Sequence, residues 1–525
     1  MSRTVDRSLR SLVNAVLWPG FIGRTVPGWL RDELDHGLAG VVLFAQNLGD
    51  EVERDALAAA LHAGRDDVLV GIDEEGGIIT RLEARSGSTL PGAWQLGAVD
   101  DVVVTEAVGR TLADRSLAAG ANVVLGPIAD VNVDPANPVI GTRSFGADPT
   151  LVSRHVAAEV RGIQARGAAA CVKHYPGHGD TSVDSHHDLP KLAIGPDEIE
   201  RLHLPPFDAA IAAGVDAIMT AHLVVPAWGE LPATLNPAIL GRLREGGFEG
   251  VIVTDALDMA AVRATVGSGR GAVLSLLAGA DLLCIGNPAN PGVAAAPDQD
   301  ERDFFEVQHA LVAAVASGEL DRGVLERAAA RVAALAAKVR SAPLAGGEAF
   351  GVDDAAGEAS AVDASVVVRR AVTVAGALPA FDHGCLVLDA RRRSTIAMDS
   401  GADYVAAGIA RGGAVRRVHL DSADRTTSLA DADADADADA AVYEAIAASR
   451  LDGRGLVVLL DALAASAGQR RLVDRVAAQR PDAVVVHVGV PSEASAGLAL
   501  PVIETRGASR VTAEVVADLL SGART

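Results

Sequence analysis

Cysteine is scarce in this sequence: three residues in 525, Cys171, Cys284 and Cys385. None belongs to a CxxC pair and the count is odd, which fits a reducing compartment rather than a disulfide-held fold. Basic charge is also in deficit, with 46 Lys and Arg against 69 Asp and Glu and a net charge of −23. That balance argues against nucleic acid, whose phosphates need a basic face, and against an anionic membrane surface. Long apolar runs are missing. No window offers about 18 uninterrupted apolar residues, so no spanning helix is expected. The opening stretch, "MSRTVDRSLRSLVNAVLWPGFIG", has a short apolar run broken by Asn14 and Pro19 and no small-residue cleavage site, so it lacks a secretory pattern. The expectation is a cytoplasmic protein with no membrane and no nucleic-acid partner.

What is present is a globular composition, 49% hydrophobic and 22% charged, in a chain long enough for two domains. Short β-branched runs recur at "GVVLF" (40–44), "VLVGID" (68–73), "ANVVLGPIADV" (121–131), "AAACVKH" (168–174), "VDAIMTAH" (215–222), "GVIVTD" (250–255) and "ADLLCIG" (280–286). Alanine-rich amphipathic stretches lie between most of them. Continuous apolar strands alternating with helices imply a parallel sheet buried on both faces. Seven or eight such units suit a (β/α)8 TIM-type barrel, α/β in class, over residues 1–340. Five of the runs end in chemically useful residues: Asp73, Asp130, Lys173–His174, His222 and Asp255. Barrel enzymes carry their catalytic groups at those strand ends.

Residues 341–365 mix Gly, Pro, Ala and acids without a hydrophobic period and read as a linker. Over 366–525, "CLVLDA" (385–390), "GLVVLLDA" (455–462) and "AVVVHVGV" (483–490) again alternate with helix-like segments. A smaller α/β sandwich domain is expected there. Within it, "DADADADADA" (431–440) is low-complexity and acidic, and reads as a solvated, disordered loop.

The densest chemistry lies in "KHYPGHGDTSVDSHHDLP", residues 173–190, which holds His174, His178, His186 and His187 among Asp180, Asp184 and Asp188. A metal site is disfavoured, because zinc ligands often sit as HxxxH on one helix face. Here His174 and His178 straddle Pro176 and Gly177, and Lys173 adds a cation beside them. An acid/base reading needs a proton carrier and a group that orients it. Asp184 and His186 supply both, since residues i and i+2 of an extended segment point the same way. Asp255, at the end of an apolar strand, is a candidate nucleophile or a helix N-cap. With an acid/base nearby it completes the logic of a retaining glycosidase.

Five segments carry a family resemblance: "GIDEEGGIITRL" (71–82), "GPIADVNVDPANPVIGTRSFG" (126–146), "CVKHYPGHGDTSVDSHHDLP" (171–190), "IMTAHLVVPA" (218–227) and "LPATLNPAILGRLREGGFEGVIVTDALDM" (231–259). Together they resemble glycoside hydrolase family 3, in its β-N-acetylglucosaminidase branch. The resemblance implies a TIM barrel and retaining chemistry. It makes Asp255 the nucleophile, His186 the acid/base and Asp184 its dyad partner. It assigns Asp73, Arg81, Arg143, Lys173 and His174 to the hydroxyls and acetamido group of a terminal sugar. No metal and no cofactor is implied, and the partner is a small GlcNAc-terminated carbohydrate, with cell-wall fragments as the source. In the same loop Gly177 and Gly179 are expected to permit turns, with His178, Asp180 and His187 holding the loop. Asp130 is a candidate supporting acceptor. His222 either lines the pocket floor or is a satisfied buried histidine.

One departure stands out: many relatives carry a basic residue after "DEEGG", where this chain has Ile78. A position there that touches the aglycone would alter preference for an anionic leaving group. Two other readings stay open. A phosphorylase would use the same site, since a histidine that has given up its proton repels phosphate less than a carboxylate does. A non-catalytic sugar-binding protein is the third, against which the intact Asp184, His186 and Asp255 argue.

Overall fold

The computed structural model describes residues 7–181, 189–263, 265–290, 294–340, 362–392, 403–418 and 431–522. Eight parallel strands form the first half: β1 (Leu17–Pro19), β2 (Gly40–Leu43), β3 (Leu69–Ile72), β6 (Val123–Val124), β7 (Ala169–Tyr175), β8 (Ala217–Thr220), β9 (Val251–Val253) and β10 (Leu283–Gly286). A small antiparallel hairpin, β4 (Glu74–Gly76) and β5 (Ile79–Thr80), follows β3. The ladder runs β2-β3-β6-β7-β8-β9. A parallel bridge from Val253 to Leu282 carries it towards β10, and β10 pairs with β1. Ala39 N–H donates to the Asn14 carbonyl at 3.0 Å, below the start of β1 and β2. The sheet is therefore curled, with helices outside it.

Alternation along the strands sorts the core. Leu69, Ala169, Cys171, Ala217, Val251 and Val253 are buried in an inner cluster with Trp18. Val70, Ala170, Val172, Ile218 and Ile252 are buried in the outer cluster, beneath the helices. This is the period of two expected of strands covered on both faces. The helix Arg322–Arg340 sends Val332, Leu335, Ala336 and Val339 into the inner cluster.

The second half holds a six-stranded sheet: β11 (Thr373–Ala375), β12 (Cys385–Asp389), β13 (Val415–Arg417), β14 (Gly455–Leu460), β15 (Val484–His487) and β16 (Val502–Glu504). Its order is β11-β16-β15-β14-β12-β13, parallel except for β11. Alternate residues again divide. Leu386, Leu456 and Val458 pack with the helices Asp431–Leu451 and Ala467–Gln479. Val387, Val457 and Val486 pack with Asp403–Ala410 and Arg510–Leu520.

Two expectations are corrected here. The tract 431–440, expected as a disordered loop, begins the helix Asp431–Leu451. Every second residue in it is alanine, the strongest helix former, and that preference outweighs the acidic repeat. Of the expected linker 341–365, residues 341–361 lie outside the described residues. Its last two residues belong to a helix, Ala364–Ala371, whose N-terminus the Asp363 carboxylate caps. Val367 of that helix is buried with the barrel's outer core, so apolar burial extends a segment that composition alone reads as loose. The two halves meet directly: Gln95 Nε2 donates to the Thr505 carbonyl at 2.9 Å, and Arg510 N–H to the Ser88 carbonyl at 3.1 Å.

Candidate active site

Strand alternation delivers the site. Leu69 faces inward, Gly71 is packed under the Trp18 ring, and Asp73 continues the inward row past the strand end. Ala169 and Cys171 lead in the same way to Lys173, and Val251 and Val253 to Asp255. Strict alternation would turn His174 outward. The pairing of β7 with β8 shifts register between Val172 and Tyr175, and both Lys173 and His174 line one pocket with Asp73, Arg81, Arg143 and Asp255. All six described candidates thus meet at the C-terminal mouth of the barrel. Asp184 and His186 lie outside the described residues.

The cluster is held by alternating charge. Lys173 Nζ contacts an Asp73 carboxylate oxygen and stands 3.0 Å from Glu75 Oε1. Arg81 Nη2 donates to Asp73 Oδ2 at 3.1 Å. Arg143 grips Glu75 bidentately, at 2.9 and 2.7 Å, the strongest geometry for such a pair. Burial opposes the charge on Asp73, yet Lys173, Arg81 and Arg143 hold its carboxyl well below the usual range. Glu75 is likewise held low against burial, by Arg143 and Lys173. Lys173 is raised, because Asp73 and Glu75 outweigh its own burial. The result is a cavity wall of fixed, ionised donors and acceptors, suited to vicinal hydroxyls.

Supporting residues explain the geometry. Glu74 Oε2 accepts from the Arg81 and Leu82 amides at 2.9 and 3.1 Å, folding the hairpin so that Arg81 returns beside Asp73. Gly76 and Gly77 make the turn, at φ +75° and +57°. Asp130 accepts from the His178 amide at 2.7 Å and meets His174 Nδ1 at 2.8 Å, which fixes that ring. His178 also lines the pocket, and burial lowers its pKa to about 4, so it is neutral. Gly177 adopts φ +127°. Gly179 serves otherwise than expected: a Cβ there would sit 2.0 Å from the Val131 carbonyl, so close approach requires it. His222 is fully buried, with Nδ1 2.9 Å from Thr234 Oγ1 and Nε2 2.8 Å from the Ala256 carbonyl. Of its two readings, the satisfied buried histidine holds.

Sequence reasoning did not single out three further residues that line the pocket. Glu75 was hidden within "DEEGG", although three successive carboxylates beside two glycines are a visible signal. Asn287 and Asn290, which also line the pocket, follow β10 in "GNPANPG", which resembles an ordinary loop. Ile78 packs against the core of the second sheet domain, so it lies at the seam between the halves. Among the described residues no cluster of histidine, cysteine and carboxylates suited to a metal occurs. No described helix is long and apolar enough to cross a membrane.

Comparison with known proteins agrees with this architecture. Residues 26–335 match the glycosyl hydrolase family 3 N-terminal domain. The chain belongs to glycosyl hydrolase family 3, and is thereby a glycoside hydrolase. It is 32% identical over 344 residues to the β-hexosaminidase A of Pseudoalteromonas piscicida, covering 60% of this chain and 56% of that one. It is 35% identical over 283 residues to a β-hexosaminidase of Stenotrophomonas maltophilia (strain R551-3), covering 51% of this chain and 82% of the relative. The match therefore spans little over half the length of the Pseudoalteromonas relative. Among solved structures, a family 3 β-N-acetylglucosaminidase from Paenibacillus sp. str. FPU-7 superposes with a TM-score of 0.80 at 29% identity, over 98% of this chain and 97% of the other. A β-glucoside phosphorylase, at 17% identity and a TM-score of 0.72, shares the fold.

Proposed function

We propose that this chain is a retaining exo-β-N-acetylglucosaminidase that removes terminal β-linked GlcNAc. The observation that carries the reading is the placement of Asp255 in one pocket with the ionised Asp73–Lys173–Glu75–Arg143 cluster and Arg81. In this reading the cluster and His174 bind the hydroxyls of the terminal sugar. The Asp255 carboxylate attacks the anomeric carbon while the bond to the leaving oxygen breaks. His186 donates its proton to that oxygen, and Asp184 stabilises the imidazolium before transfer. The neutral imidazole then takes a proton from water, which displaces Asp255 and releases the sugar with net retention. The names of the β-hexosaminidase and β-N-acetylglucosaminidase relatives support the choice of substrate. Cell-wall fragments are the proposed source, and the cytoplasm the proposed site, consistent with three buried free cysteines.

The experiment is a panel of p-nitrophenyl β-glycosides of GlcNAc, glucose and xylose, assayed with and without phosphate. Release is expected from the GlcNAc compound, with free GlcNAc as product in both media. Preference for glucose or xylose would reject the substrate. Formation of GlcNAc 1-phosphate would replace hydrolysis by phosphorolysis.

A further inference from the structure

The pocket has two unlike walls. From β3 to β7 its polar groups are the ionised cluster and histidines. On the arc from β9 through β10 to β2, the lining includes Val42, Phe44, Met259 and Cys284, with two side-chain amides, Asn287 and Asn290. Asp255 stands where the two walls meet.

The hydrogen bonds of those amides fix which atom each presents. Asn287 Oδ1 accepts from Gln46 Nε2 at 2.7 Å and from the Ala289 backbone N–H at 3.1 Å. A backbone N–H is always a donor, so the oxygen is assigned and both its lone pairs are used. Asn287 therefore offers its Nδ2 hydrogens. Asn290 Nδ2 donates to Asp258 Oδ2 at 2.7 Å, which leaves Oδ1 as its acceptor. The two residues are tied by one turn, with Asn290 N–H on the Asn287 carbonyl at 2.9 Å. The wall thus presents one neutral donor and one neutral acceptor beside apolar surface.

A secondary amide carries one acceptor, one donor and a methyl group, and no charge. A hydroxyl carries its donor and its acceptor on one oxygen and brings no methyl to the apolar surface, whereas the amide sets them on separate atoms beside that methyl. We infer that Asn287 and Asn290 read the 2-acetamido group of the sugar: Asn287 Nδ2 donates to its carbonyl, Asn290 Oδ1 accepts its N–H, and Met259 with Phe44 contacts its methyl. This rests on the β-N-acetylglucosaminidase reading and assigns the discrimination against glucose to residues outside the charged cluster. An analogue without the amide loses the methyl contact and cannot offer a carbonyl and an N–H on separate atoms to the two side chains, which is the basis of the discrimination.

Asn287→Asp keeps the bonds from Gln46 and Ala289 and removes both donors. Its kcat/KM on p-nitrophenyl β-N-acetylglucosaminide is expected to fall at least about tenfold more than on the β-glucoside. Competitive inhibition by free N-acetylglucosamine should weaken by a similar factor. Asn290→Leu, which removes the acceptor, should act in the same direction and serves if the first variant is misfolded by circular dichroism. Equal losses on both glycosides, or unchanged inhibition, would overturn the assignment. A wild-type enzyme without activity on the N-acetylglucosaminide would instead defeat the functional reading, before any variant is made.

Discussion

In the barrel, Asp73, Lys173 and Asp255 leave their strand ends inward and face a common cavity, whereas in the second sheet Asp389, Asp461 and His487 leave theirs and meet partners of their own. Asp389 is gripped by Arg391 at 2.9 and 2.8 Å and by Arg417 at 3.2 Å. Asp461 Oδ1 accepts from Gln469 Nε2 at 2.8 Å and from the Arg392 amide at 3.1 Å. His487 Nδ1 lies 2.9 Å from Glu504 Oε2. The central strands of both sheets are parallel, apolar along their length and polar at the end. The difference is curvature. In a curled sheet every second residue points towards one axis, so distant strands supply one site. In an open sheet the same alternation sends residues to two opposite faces.

The largest effect that tests this contrast is at Asp255. Asp255→Ala should cut p-nitrophenol release by at least about 10⁴-fold, the order of loss when a covalent nucleophile is removed, with circular dichroism and melting unchanged. Full activity would reject the role.

A matched pair comes next. Glu75→Gln removes a counter-ion from both Arg143 and Lys173. It should lower kcat/KM by about 10²-fold, because misplaced binding groups cost that much, and lower the melting temperature too. Asp389→Asn breaks an equally buried pair and should cost about 3 kcal/mol of stability, with kcat/KM of the folded enzyme within about twofold, because no reacting group depends on it. If both variants lost catalysis alike, the contrast between the sheets would fail.

The smallest effect is in pH. Glu159, in the barrel helix Pro149–Gln164, is pushed by burial from 4.5 to about 8, with Glu75 adding repulsion. Between those values the folded protein holds a proton that the unfolded chain has released, so stability falls as pH rises from 4.5 towards 8. Asp73 acts oppositely. Its lowered carboxyl contributes stability above its ordinary value of 3.8, which is lost as pH falls below it. Glu159→Gln should flatten the decline from pH 5 to 8 by on the order of 1–3 kcal/mol, read by urea unfolding across that range. An unchanged slope would mean that the carboxyl is not buried as described.

Much of the barrel was legible because apolar strands and alanine-rich helices alternate with a clear period. The run 121–131 was legible only in part: β6 is Val123–Val124, and the rest is a loop on which Asp130 faces His174. In the second domain, β11, β13 and β16 went unread. They are three residues long, and β11 and β13 are edge strands with exposed residues. That Asp73, Arg81, Arg143, Lys173, His174 and Asp255 would share one pocket was legible because their motifs are long. Asn287 and Asn290 were not, because two asparagines near prolines look like turn residues.

The sequence by itself determined the strand–helix rhythm, the charge deficit and the residue types gathered at strand ends, since these depend on neighbours along the chain. Tertiary structure alone decided that Glu75 clamps Arg143 from 68 positions away. It also decided that Asn287 and Gln46, 241 positions apart, share one hydrogen bond. Such pairings arise from the closing of the sheet, which brings strands early and late in the chain around a single mouth, and no local period records it.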